Sequence, residues 1–223
     1  MTAKRSTRFG QAFRWGAVLA LGIGYSVLAH RVAAAAAPDV FSALVAVTPM
    51  TALAFVMAWR SSRRALLVGM WLLACAGLYG ISGWLVTHYH WVFLLEHAGV
   101  YALLCLGFGK SLQPGRTPMV TGFARLVHPT MSPTLISYTR MVTWAWTLYF
   151  GSISALSLLL FWLAPLAVWS AFANLLGFPL LALMFIAEYT VRCFVLPAAD
   201  RAGPLEAIRA YRQASTGGSA RHP

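Results

Sequence analysis

Residues 107–146 read GFGKSLQPGRTPMVTGFARLVHPTMSPTLISYTRMVTWAW. This is the one long polar interval between apolar blocks, and it holds four basic residues: Lys110, Arg116, Arg125 and Arg140. Within it, Thr117-Pro118 is a helix start, a capping residue followed by proline at the first position. After it, Met119, Val120, Phe123, Leu126 and Val127 recur at helical spacing, while Arg116 and Arg125 fall off that stripe. The pattern predicts a short amphipathic helix lying in the headgroup layer, ended by His128-Pro129. Ser132-Pro133 restarts a helix that runs on into the next apolar block.

Outward from this interval the chain is built for lipid. Of its 223 residues 60% are hydrophobic and 10% charged, against about 25% charged in an ordinary soluble domain. Six spans are expected, at about 15–29, 40–59, 65–87, 91–108, 138–163 and 168–196. Interval 109–137 is a cytoplasmic or interfacial loop, and 197–223 a cytoplasmic tail, partly disordered. His88-Tyr89-His90 is read as the connection between spans three and four, Ala164-Pro165 as the turn between five and six, and Gly177-Phe178-Pro179 as a kink in span six. The basic N-terminus, the apolar run to Ala29 and the alanines after Val32 also match the layout of a signal peptide. His30 and Arg31 sit awkwardly before a cleavage site and favour an uncleaved first span.

With the N-terminus inside, 16 of the 17 Lys and Arg fall on inner segments and only Arg31 lies outside. That asymmetry points to both termini in the cytoplasm and to a bacterial inner, cytoplasmic membrane. The net charge of +12 is therefore read as topology and contact with anionic headgroups, not as a nucleic-acid footprint: no basic stripe is interleaved with stacking aromatics. Cys75, Cys105 and Cys193 stand singly in apolar segments and read as packing residues.

Charged groups at membrane depth need partners. Glu188 lies nine residues before Pro197, about 13 Å along the helix, and Arg140 eight residues after Ser132, about 12 Å in. Arg192 is four residues from Glu188 on the same face. A Glu188–Arg140–Arg192 cluster is expected, either fastening spans five and six or holding an anionic headgroup. Toward the other face Glu96, His97 and Asn174 form a second polar group. His90 and His97, seven apart, share a face, yet no further metal ligands accompany them. No metal or other cofactor is expected.

The segments GFGKSLQPGRTPMVTGFARLVH, YTRMVTWAW and FANLLGFPLLALMFIAEYTVR resemble a family of small bacterial inner-membrane proteins of undefined activity. Their genes lie in clusters for aryl-polyene (xanthomonadin-type) pigments, which also encode ketosynthases, acyl carrier proteins, acyltransferases and an exporter. The resemblance covers about Gly107 to Arg192. It rests on Gly109-Lys110-Ser111-Leu112, Pro114-Gly115-Arg116, Arg125, Tyr138, Arg140, Thr143, Trp146, Asn174, Glu188 and Arg192, with Lys110 where the family pattern has arginine. It implies a pathway rather than a reaction.

A non-catalytic membrane component is thus expected, one that organises lipid-like polyketide synthesis or export. Its partners would be membrane lipids, cytoplasmic acyl-carrier or biosynthetic enzymes, or an exporter. The alternatives are a small transporter or flippase subunit, suggested by broken spans and intramembrane charge, and a membrane acyltransferase, for which no histidine–acid pair stands on the inner side. A periplasm-dependent reporter fused after Ala37, His90 or Pro165 should be active, and one fused after Ser62, Gln113 or Ala214 silent. The reverse pattern would refute the expected topology.

Overall fold

The computed structural model describes residues 3–34, 39–128 and 130–197; these are all-helical, with no strand among them. The order is α1 (Ala3–Ala33), α2 (Val40–Arg60), α3 (Arg64–Gly80), α4 (Ser82–Ser111), α5 (Met119–Arg125), α6 (Pro133–Leu163), α7 (Leu166–Ser170), a π-helix (Ala171–Leu176) and α8 (Gly177–Val195). Five stretches, Arg14–Ala33, Val40–Arg60, Ser82–Ser111, Pro133–Leu163 and Leu166–Val195, are long and apolar enough to cross a bilayer. They expose large apolar side chains such as Leu21, Leu95, Leu103, Leu148 and Leu163, which a water-facing surface of this extent would not tolerate. The chain is a multi-pass helical membrane protein.

Several expected boundaries move. The third helix stops at Gly80, and Arg64–Gly80 alone is shorter than a full crossing. Residues 82–87, assigned to span three, belong to α4, which begins well before the expected 91 and runs to Ser111. The His88-Tyr89-His90 connection is a break inside α4, with non-helical angles at His88 of φ −124° and ψ 20°. Helices ordinarily continue through histidine and tyrosine, so no breaker marks this site in the sequence. The first helix extends past both ends of the expected 15–29, running through Gly10 on one side and His30-Arg31 on the other, with no proline in either flank to stop it. The irregularity expected at Gly177-Phe178-Pro179 sits one turn earlier, as the π-helix. Proline removes an N–H and clashes with the carbonyl four residues back, and a wider turn ahead of it relieves both. The tail stripe of Leu205, Ile208 and Tyr211 lies outside the described residues.

By contacts the chain forms two compact units: 1–97 with 157–177, and 98–156 with 178–223. In the first, α1 packs on α7 and the π-helix, and α2 packs on α3. Trp71 Nε1 donates to the Thr51 carbonyl at 2.9 Å, and Val40 and Val86 line one cavity farther along the same pair of segments. Residues 71–86 therefore run antiparallel to α2. In the second unit Leu135, Tyr138, Val142, Trp146, Phe150 and Leu196 form the buried centre. There Gly151 meets Cys105, whose sulfur would stand 3.2 Å from an added Cβ.

One bond shows what the membrane demands of the first unit. Pro49 lies inside α2 and has no N–H, so the Val45 carbonyl four residues back loses its helical partner. The Tyr25 hydroxyl of α1 donates to that carbonyl at 3.2 Å. Tyr25→Phe should therefore destabilise the protein by about 1 kcal/mol, read as a lower thermal midpoint in detergent. Pro49→Ala restores an N–H for Val45 and should shrink that cost. An equal cost in both backgrounds would show that Tyr25 acts elsewhere.

Candidate functional site

In the second unit the polar interval folds onto α6. It begins with a turn from Gln113 to Arg116, closed by the Arg116 amide on the Gln113 carbonyl at 3.1 Å. Gly115 has φ +78°, the left-handed angle that a proline-glycine type II turn needs. Ser111 Oγ accepts from the Met119 amide at 2.9 Å and donates to the Phe108 carbonyl at 2.6 Å. The Val120 amide donates to Thr143 Oγ1 at 3.2 Å, and the Thr121 and Thr139 hydroxyls meet at 2.8 Å. Helix α5 is shorter than the expected 117–127, and its fastening is a threonine stripe on α6. Thr143 donates to the Thr139 carbonyl and Thr147 to the Thr143 carbonyl, both at 2.8 Å. The stripe was legible as threonines four residues apart on one face, a signal the charge-centred reading passed over. Phe123 and Leu126 remain exposed.

The charge cluster has a different membership from the one expected. Arg192 holds Glu188 through Nε at 3.0 Å and through Nη2 at 2.8 and 2.9 Å. The Tyr138 hydroxyl donates to Glu188 Oε1 at 3.1 Å and lies 3.2 Å from the Glu188 carbonyl. Arg140 is not part of this group: its Nη2 donates to the Leu112 carbonyl at 3.2 Å. At about 100° per residue, Tyr138 and Arg140 are some 200° apart around α6 and cannot both face Glu188. Tyr138, the first residue of the expected span 138–163, is the cross-helix partner of Glu188. Beside it, a cavity of about 110 Å³ is bounded by Val120, Phe123, His128, Tyr138, Arg192 and Leu196. Lys110, Arg116 and Arg125 are exposed, and Arg125 donates to Thr117 Oγ1 at 3.4 Å. Among the described residues the ion pair is Arg192 with Glu188, and these outer cations have no carboxylate.

In the first unit the expected Glu96–His97–Asn174 group is separated. His97 Nδ1 bonds Ser157 Oγ at 3.0 Å, and Ser157 Oγ also accepts from the buried Trp169 Nε1 at 3.1 Å. Asn174 instead donates to the carbonyl and hydroxyl of Ser170 at 3.2 and 3.3 Å. Ser170 Oγ lies 3.0 Å from His30 Nδ1 and 3.1 Å from the His30 carbonyl. Glu96, one residue from His97, is in neither network, and its Oε1 is buried without a hydrogen-bond partner among the described residues. Outside the helices, Asp39 accepts from the Ser42 amide at 2.7 Å as the cap of α2. Hydrogen bonding from Ser42, through its side chain and then its backbone, holds that carboxyl below its ordinary range. No three His, Cys, Asp or Glu gather as a metal set among the described residues.

Comparison of the chain with protein-family models, curated proteins and solved structures finds no match.

The geometry separates the two arginines experimentally. Glu188→Gln should lower stability by about 1–3 kcal/mol, below the range for a fully buried pair because Arg192 is partly open to solvent. Adding Arg192→Gln should recover part of that loss, whereas adding Arg140→Gln should recover none. Recovery with Arg140→Gln in thermal unfolding would restore Arg140 to the cluster.

Proposed function

We propose that this protein is a six-span, non-catalytic component of a bacterial inner membrane. It holds an anionic, lipid-like molecule and its handling partners at the cytoplasmic face. The observation that carries this reading is the α5 region. Four cations, Lys110, Arg116, Arg125 and Arg140, stand without a carboxylate among the described residues around a short helix that turns Phe123 and Leu126 outward. Cations beside exposed apolar groups are the complement of a molecule with an acidic head and a hydrocarbon body. The cavity against Tyr138 and Arg192 gives such a head a place beside a fixed guanidinium.

The six-span arrangement is supported by the break at His88. It lets residues 64–87 serve as one crossing and 89–111 as the next, and it agrees with the inward bias of Lys and Arg. The resemblance of Gly107–Arg192 to aryl-polyene cluster proteins supports a polyene or related polyketide as the lipid-like molecule. Acyl-carrier enzymes or an exporter would then be the partners.

Each basic residue at a membrane surface contributes about 1 kcal/mol toward anionic lipid. The Lys110→Gln, Arg116→Gln, Arg125→Gln triple variant should then retain phosphatidylglycerol on the order of 100-fold less well, read by native mass spectrometry from mixed micelles. Its thermal midpoint should stay near the parent's, because none of the three side chains is buried. Unchanged retention would sink the headgroup reading, and normal pigment in a deletion strain would sink the pathway.

A further inference from the structure

Glu96 is the titratable group that the reading above leaves unused. It lies on α4 eight residues beyond the break at His88, about 12 Å along the helix. Its Oε1 is buried with no hydrogen-bond partner among the described residues. Buried polar atoms almost always have partners, so an orphan calls for an explanation.

The surroundings hold no cation. Helix α2 from Val40 to Trp59 contains no ionisable side chain, and neither does the stretch from Ser157 to Leu176. From α1 the facing titratable group is Tyr25, within electrostatic reach of the carboxyl, and its hydroxyl is committed to the Val45 carbonyl. From α2 the backbone of Met50 approaches the carboxyl, next to Pro49, which lacks the N–H of the helical ladder. On α4 itself His97 is turned to Ser157. Of the basic residues of this unit whose side chains are described, Arg31, Arg60, Arg63 and Arg64 lie at or beside helix ends, and Arg14 lies at the start of the apolar stretch Arg14–Ala33 of α1.

A carboxylate in this setting would keep its charge in low dielectric with one peptide dipole as its support. That dipole favours the anion, but a single neutral donor does not offset burial of a full charge. A protonated acid removes the charge and supplies a donor of its own. Ionisable side chains that persist inside membranes without a cation partner mark ion and proton sites.

We infer that Glu96 is a proton-binding site within the membrane, a carboxylic acid that carries its proton at neutral pH. The ligand is the proton itself. The carboxyl of Glu188 is its opposite, held as an anion by Arg192, so one chain contains two intramembrane acids in different charge states.

Dicyclohexylcarbodiimide distinguishes these states. It is apolar, enters the bilayer, and reacts with a protonated carboxyl. The acid proton passes to a carbodiimide nitrogen and the carboxyl oxygen bonds to the central carbon. The adduct then rearranges to a stable N-acylurea with no leaving group. The full chain in phosphatidylcholine vesicles should take up one equivalent, mapped to Glu96 by peptide mass, with a rate that falls as pH is raised. Glu96→Gln should abolish labelling and leave the thermal midpoint where it was, since one neutral side chain replaces another of similar shape. Labelling of Glu188 instead, or none on folded protein, would overturn the inference. Destabilisation by Glu96→Gln would also overturn it, because an ionised, paired carboxylate is what that change would expose. Protection by sodium ions at constant pH would reassign the site to a metal cation and refute the proton as its ligand.

Discussion

A peptide carbonyl or amide without a partner costs several kcal/mol in hydrocarbon, and no water is there to relieve it. Much of the bonding between helices in this protein answers that cost. Tyr25 donates to Val45, Trp71 to Thr51, Ser154 to Ala98, Tyr138 to Glu188 and Ser170 to His30, in each case a side chain of one helix on a carbonyl of another, and Arg140 donates to the carbonyl of Leu112 just past the end of α4. A carbonyl oxygen has two lone pairs, so a helix can give one to its own ladder and the second to a neighbour. Apolar contact does not distinguish a neighbouring helix from lipid tails, and these directed bonds do. Where proline leaves a carbonyl bare, as at Val45, the bond becomes necessary rather than supplementary.

The same constraint separates the two acids. Glu188 has a bidentate guanidinium one turn away and a hydroxyl from α6 across from it, so its charge is met from two helices. Glu96 has neither, and the stretches Val40–Trp59 and Ser157–Leu176 of its unit carry no ionisable side chain. In a medium that penalises a bare charge, neighbours of this kind decide protonation more than the carboxyl itself does. Polarity inside the chain is thus divided by type. One unit fixes an ion pair near exposed cations, while the other keeps hydroxyl and imidazole groups in hydrogen-bonded networks and a carboxyl outside them without counter-charge.

Much of this was legible in the residues. The helical class, the span at 40–59, the restart at Ser132-Pro133 and the turn at Ala164-Pro165 follow from hydropathy and proline, whose effects are local. The break at His88 was placed correctly but read as a loop, because no residue there advertises how far the helix resumes. The Glu188–Arg192 pair was readable because both lie on one helix, four residues apart. Arg140 was misassigned because depth along a helix was counted and angle around it was not. The split of Glu96 from His97 has the same origin: adjacent residues on a helix face different neighbours, and which neighbours is a tertiary fact. The threonine stripe was visible at its spacing but carries no charge, and attention to charge hid it.

That stripe bears on what α5 is. A helix of seven residues does not hold itself together in water, since isolated helices shorter than about 12 residues are marginal. An amphipathic segment that folds only on a bilayer would take its order from lipid. Here the first amides of α5 are bound by Ser111 and Thr143, and Thr121 is buried on Thr139. The order therefore comes from α4 and α6, which the membrane already fixes. Phe123 and Leu126 are held outward before any ligand arrives, and the entropy of arranging them is spent in folding rather than in binding. The surface around α5 is in that sense a preformed part of the bundle, and the exposed cations beside it inherit its position.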